Sequence, residues 1–153
     1  MAVGTFTLFS KNKDDLRMQD LVSANLRMAL VNGAGGTLNA ATTGLSVWAD
    51  ISASEIAAGN GYSAGGAALT GTLADTGAGG WKLSTGNPSW TASGGSIPSW
   101  RFAVLYYNGT LWGMTNPLIG YFIGDNTPAD IPATVAGSTL TLPCPAGGWF
   151  DNA

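Results

Sequence analysis

The apolar positions of this chain fall in short runs separated by Gly, Ser, Thr, Asn and Pro, and the two densest runs flank one connection. Arg101 to Tyr107 (RFAVLYY) and Leu118 to Ile123 (LIGYFI) are rich in aromatic and β-branched residues, which fit a pleated, half-buried surface. Between them lie Asn108-Gly109 and Asn116-Pro117, whose backbone preferences favour turns, so the pattern predicts two central strands of a sheet. Asn25 to Val31 alternates Leu26, Met28 and Leu30 against Arg27, Ala29 and Val31, the period of a core strand. Leu45 to Ile51 alternates in the same way, with Trp48 facing the other side. Ser138 to Leu142 reads as a last strand that Pro143 and Pro145 stop, because proline has no N–H to give a ladder. Leu69 to Leu73, Trp81 to Leu83 and Ser89 to Ala92 are shorter strand candidates.

A helical period occurs only near the start. In Lys11 to Asn25, Asn12 can cap a helix, Asp14 and Asp15 would sit at the positive end of its dipole, and Met18, Leu21, Val22 and Asn25 form a stripe. The alternative there is an exposed amphipathic turn. Ala2 to Phe9 alternates as a short strand or extended arm, while Asn32 to Gly44 and Thr127 to Ala136 read as loops. The predicted architecture is therefore mainly β: an antiparallel β-sandwich, jelly-roll-like, with one short N-terminal helix. It forms a single domain over 1–153, with 1–10 as an N-terminal arm and 143–153 as a C-terminal tail.

Composition changes this picture in two ways. The 23 glycines would suggest disorder in an apolar-poor chain, but six Trp, five Phe and four Tyr supply the burial that offsets the entropy of ordering them. Only 10% of residues are charged, against about 25% in ordinary soluble domains, so the surface must be built from Ser, Thr, Asn and Gly. Such a surface suits burial in an assembly, or secretion into hostile surroundings. Six Lys and Arg in a chain of net charge −3 cannot form the basic patch that a nucleic-acid groove needs. No basic segment followed by an apolar core opens the chain and no 18 apolar residues run together, so neither a signal peptide nor a membrane partner is expected.

Histidine is absent, which removes the commonest general base and metal ligand. Cys144 is the lone cysteine, so no intrachain disulfide forms; it reads as a small apolar residue, with an interchain bridge or reactive thiol as the alternative. The nine carboxylates show no spacing that forces a catalytic pair, although a glycosidase pair is made in space and not in sequence. Asp125-Asn126-Thr127 with Asp50 offers oxygen ligands without EF-hand spacing and reads as a solvated turn. The segment Ser54 to Leu69 is glycine-rich, but no Lys-Ser or Lys-Thr follows to make a phosphate loop. No catalytic residue, metal site or cofactor is expected. The aromatic residues open to partner contact are Tyr62 in that segment, Trp112 in the connection, and Trp149 and Phe150 in the tail, which either fold back to cap the core or dock on a neighbour. Trp112 either extends the second strand or sits at a loop tip, where it packs on its own sheet or stacks on a sugar or another subunit.

Asn25 to Val31, the segment Ser54-Glu55-Ile56 to Gly59-Asn60-Gly61-Tyr62-Ser63-Ala64-Gly65-Gly66-Ala67-Ala68-Leu69, Arg101 to Tyr107 and Asn116-Pro117-Leu118-Ile119-Gly120-Tyr121-Phe122 together resemble a family of small tailed-bacteriophage virion proteins. The resemblance covers most of residues 14 to 142; the Trp-rich middle and the Pro-Cys-Pro, Trp-Phe tail depart from it. It implies a non-enzymatic structural protein, made in the host cytoplasm and located in the virion. There it would decorate or cement the outer capsid as a homo-oligomer such as a trimer, with the major capsid protein or other virion proteins as partners. A tail or fibre component is the alternative within that class, and a carbohydrate-binding module using exposed Trp the alternative outside it.

Overall fold

The computed structural model describes residues 6–32, 44–124 and 130–152. These hold strands β1 (Thr7–Leu8), β2 (Leu26–Val31), β3 (Ala67–Leu69), β4 (Thr72–Asp75), β5 (Trp81–Ser84) and β6 (Ser89–Thr91), then β7 (Phe102–Tyr107), β8 (Thr110–Leu111), β9 (Met114–Thr115), β10 (Leu118–Ile123), β11 (Thr139–Thr141) and β12 (Phe150–Asp151). The strands form a five-stranded sheet in the order β1-β10-β7-β2-β3, a three-stranded sheet β12-β5-β4, and the pairs β6-β11 and β8-β9. All pairings are antiparallel, and the fold is mainly β as its sequence pattern predicts.

Side-chain alternation assigns each face of the large sheet to its own core. Leu26, Met28, Leu30, Ala103, Leu105, Ile119 and Phe122 pack against Leu69, Leu83, Trp90, Leu140, Leu142 and Trp149, most of them from the smaller sheets, so two layers enclose this core as a sandwich. On the opposite face, Ala29, Val31, Phe102, Val104, Leu118 and Tyr121 lie beneath Phe9, Leu45 and Ile51. Trp48 stacks on Tyr106 there, with ring centroids 4.6 Å apart. Both faces are thus covered, which explains why β7 and β10 read as unbroken apolar runs. β1 completes the sheet at its edge, pairing Thr7 with Tyr121 and Leu8 with Gly120. A Cβ on Gly120 would collide with the Phe6 ring, so the missing side chain is the seat of that ring.

Three expectations need correction. The helix over Lys11 to Asn25 is reduced to two single 3-10 turns, Ser10–Asn12 and Met18–Leu21. Asn12 is not a cap: it is 3% exposed, and its Nδ2 donates to the carbonyls of Ser46 (2.7 Å) and Leu118 (2.8 Å). Leu45 to Ile51 is not a strand beyond the single bridge Val47–Pro117. The Asp50 carboxylate accepts from the N–H groups of Ser46 (2.9 Å) and Val47 (3.1 Å), and this competition turns Trp48–Asp50 into a 3-10 turn. Leu69 to Leu73 is two strands, β3 in the large sheet and β4 in the small one, so the chain changes layers between them. Most of the loop Asn32 to Gly44, and Asp125-Asn126-Thr127, lie outside the described residues.

Gly66 shows how closely the glycine-rich segment approaches the backbone of β2. It has φ +77°, and a Cβ there would overlap the Met28 carbonyl, whereas Gly77 has φ +78° and open space. Gly77→Ala should therefore cost only the left-handed backbone penalty of about 1 kcal/mol. Gly66→Ala should add roughly 1–3 kcal/mol of overpacking to that penalty. Urea unfolding of the two variants checks this; equal losses would overturn it.

Candidate functional site

The glycine-rich segment is a fastening. β3 covers β2 only from Leu26 to Met28, so the edge beyond needs other partners. The Leu30 N–H donates to the Tyr62 hydroxyl (3.0 Å), the Ile56 N–H donates to the Leu30 carbonyl (3.0 Å), and Glu55 bridges to Val31. The Tyr62 hydroxyl in turn donates to Glu55 Oε1 (2.8 Å), which also accepts from the Gly65 N–H (2.6 Å). The Tyr106 hydroxyl, from β7, donates to the Gly65 carbonyl (2.9 Å). Tyr62 itself is 2% exposed. Burial pushes its hydroxyl far above the usual tyrosine range; the same cause, opposed by the Arg27 charge and aided by Glu55, pushes Tyr106 up to about 12.

The other three aromatic candidates separate. Trp149 is 4% exposed, donates from Nε1 to Thr85 Oγ1 (2.9 Å) and stacks on Phe122 at 5.7 Å. Trp112 stands at the tip of the β8–β9 hairpin, with φ +53° followed by Gly113 at φ +72°, a two-residue turn of the primed kind. The tight turn is thus Trp112-Gly113, not Asn108-Gly109. A bulky residue in the left-handed region is strained, and here Nε1 donates to Asp20 Oδ2 (3.0 Å) while the ring packs on the core. Phe150 is half-buried and stacks on Phe6 at 6.0 Å.

Phe150 also opens onto the groove that is the candidate site. This groove holds about 740 Å³ at the mouth of the sandwich, within the range typical of ligand pockets. One wall is Leu8, Leu16 and Met18 from the N-terminal segment; the other is Leu73, Trp81 and Phe150 from the three-stranded sheet. Arg17, Gln19, Asp151 and Asn152 supply its polar lining. Trp81, which the sequence pattern does not single out, is 49% exposed. Its backbone N–H donates to Asn152 Oδ1 (2.7 Å), and its carbonyl accepts from the Asn152 N–H (3.1 Å), so the Asn152 amide is held at the Trp81 backbone. Trp81 and Leu83 share the inward face of β5. Leu83 reaches the core, whereas the ring two residues before it lies at the groove.

A second surface feature is the β6–β11 pair. Trp90 and Leu140 point into the core, leaving Ser89, Thr91, Thr139 and Thr141 exposed, with the hydroxyls of Thr91 and Thr139 2.9 Å apart. Val135, 61% exposed, leads into it. Among the described residues no group of three His, Cys, Asp or Glu side chains is placed to hold a metal ion, and no helix is long and apolar enough to cross a membrane.

The tyrosine network sets a pH dependence. Tyr62 and Tyr106 hold their protons in the folded chain above pH 10, where the unfolded chain gives them up, so the fold binds more protons there. Stability should be unaffected by these groups below about pH 10 and should fall as pH rises beyond it. Tyr106→Phe should flatten that fall in denaturation measured from pH 8 to 12. Tyr62→Phe, measured at pH 7, should cost about 1–3 kcal/mol by leaving the Leu30 N–H unpaired.

Comparison with protein-family models, with curated proteins and with solved structures gives no match.

Proposed function

We propose that this chain is a non-enzymatic virion structural protein of a tailed bacteriophage, which decorates or cements the outer capsid surface as a symmetric homo-oligomer, a trimer in the simplest case. The observation that carries the reading is the face of β6 and β11: four exposed hydroxyl side chains, no charge, and Val135 beside them. Edge strands of free-standing proteins are commonly guarded by Lys or by inward charges, because an unguarded edge is a template for pairing. Hydroxyls cost far less to bury than charges do, so this face can be covered by a partner cheaply. Closed symmetry would let each copy present the same patch. The chain's 10% charge extends the argument to the rest of its surface. Several carboxylates already have structural partners: Asp20 with Trp112, Asp50 with Ser46 and Val47, Glu55 with Tyr62, and Asp130 with Arg101 at 2.9 Å. The residues behind the family resemblance support a structural role too, since Tyr62 and Gly65 are joined to β2 and β7.

Quantitative mass spectrometry of purified particles is the test. Many copies per particle are expected. Absence from intact particles, or only one or two copies, would sink the decoration reading, low copy number pointing to the tail. Thr141→Lys, at an exposed position of the patch, should leave the melting temperature nearly unchanged. It should also lower the copies per particle by roughly tenfold, since a charge would then be buried at the contact. Unchanged occupancy would remove β6–β11 from the interface.

A further inference from the structure

We infer that the groove beside Trp81 is a saccharide-binding site for neutral, non-acidic glycans, a function additional to and independent of the virion reading. A sugar ring offers two kinds of surface. Its C–H face is apolar and flat, and its rim is a set of closely spaced hydroxyls that both donate and accept. A site for it needs an exposed aromatic plate, flanked by planar polar groups held in fixed positions.

The groove has both. Trp81 is the tryptophan with the most exposed ring: Trp90, Trp100 and Trp149 are buried, Trp48 is covered by Tyr106, and Trp112 is hydrogen-bonded to Asp20. An indole half open to water, on a strand that could have placed a Thr there, is an apolar area left for contact with something else. Asn152 lines the same groove and is fixed by its two bonds to the Trp81 backbone, which leaves its amide NH₂ as an oriented donor. Asp151 supplies an acceptor pair, Arg17 a planar donor fork and Gln19 both kinds of group. Arg17 and Asp151 cancel in charge, so nothing in the groove selects an ionic ligand. That neutrality separates a plain glycan from a phosphorylated or uronic one, and the apolar wall that Leu73 and Phe150 form with Trp81 suits the sugar's C–H face.

The test uses the purified full chain and three defined probes, maltohexaose, cellohexaose and chitohexaose, in calorimetric titrations up to about 10 mM, weak enough to catch millimolar affinities. Saturable binding of at least one probe is expected. Trp81→Ala should weaken it about tenfold or more, Trp81→Phe should keep it within a few-fold, and Asn152→Ala should weaken it several-fold. The Phe variant keeps an aromatic plate, so it separates lost stacking from lost folding, and thermal melting of each variant checks the same point. No saturable binding of any probe, or binding that survives Trp81→Ala, overturns the inference. Neither outcome bears on whether the protein is present in virions.

Discussion

Strand β7 buries five consecutive residues, Phe102 to Tyr106, and the rest of the molecule is a consequence of having to do so. A strand so deep must cover two faces and pair two edges, because a backbone N–H or C=O left alone away from water costs about as much as a lost hydrogen bond. β2 pairs one edge in unbroken register from Leu26–Tyr107 to Val31–Phe102. β10 pairs the other, with an irregularity between Leu118 and Gly120. These strands then have outer edges of their own. β1 closes β10; β3 closes half of β2, and the remainder falls to the Tyr62 hydroxyl, Glu55 and Ile56. The glycine-rich segment is therefore explained by an edge that ran out of strand.

The two faces are covered by different means. Regular strands from two smaller sheets cover one, so their backbones are satisfied by their own ladders. Irregular chain covers the other, and irregular chain near a core needs side chains to satisfy its backbone. In a chain with few polar side chains of any length, this falls to Asn12 and Asp50. Asn12 joins the first turn to Ser46 and Leu118, and Asp50 gathers the Ser46 and Val47 N–H groups. Backbone hydrogen bonds hold the Asp50 carboxyl below the usual carboxylate range, so the cap stays ionised through mild acid.

The central strands could be read from sequence because their signal is local: aromatic and β-branched side chains in a run of six are hard to place elsewhere. Two of the three misread elements failed for a shared reason. Asn12 and Asp50 each carry a group that bonds locally or across the fold, and only the folded geometry shows which. For Asn12 the distant carbonyl of Leu118 prevailed over a helix cap, and for Asp50 the local bond prevailed over a strand. The loop tip was one of two placements open to Trp112, but Trp112-Gly113 as the turn pair itself was not legible, because a tryptophan is among the last residues expected at φ +53°. Its conformation is held by tertiary contacts that the pattern does not contain. Trp81 is the opposite case, since its parity with Leu83 predicts burial, and the sequence does not mark where the opposing layer ends.

Trp112 ties down one side of the groove beside that ring. The far wall of the groove is the stretch Leu16 to Gln19, entering the turn Met18–Leu21, and this turn has no ladder to hold it. Leu21 anchors one side by complete burial. The other anchor is Asp20, held by the Trp112 indole from the hairpin tip. The strained residue is thus one of the ties, with Leu21 and the turn's own backbone bonds, on the segment that lines the groove opposite the exposed ring. Strain at φ +53° persists only where the surroundings over-determine it, and here the bond to Asp20 and the packing of the ring on the core supply that. A groove whose wall is tied in this way is shaped in the free chain, so a ligand bound there would lose little to ordering the site.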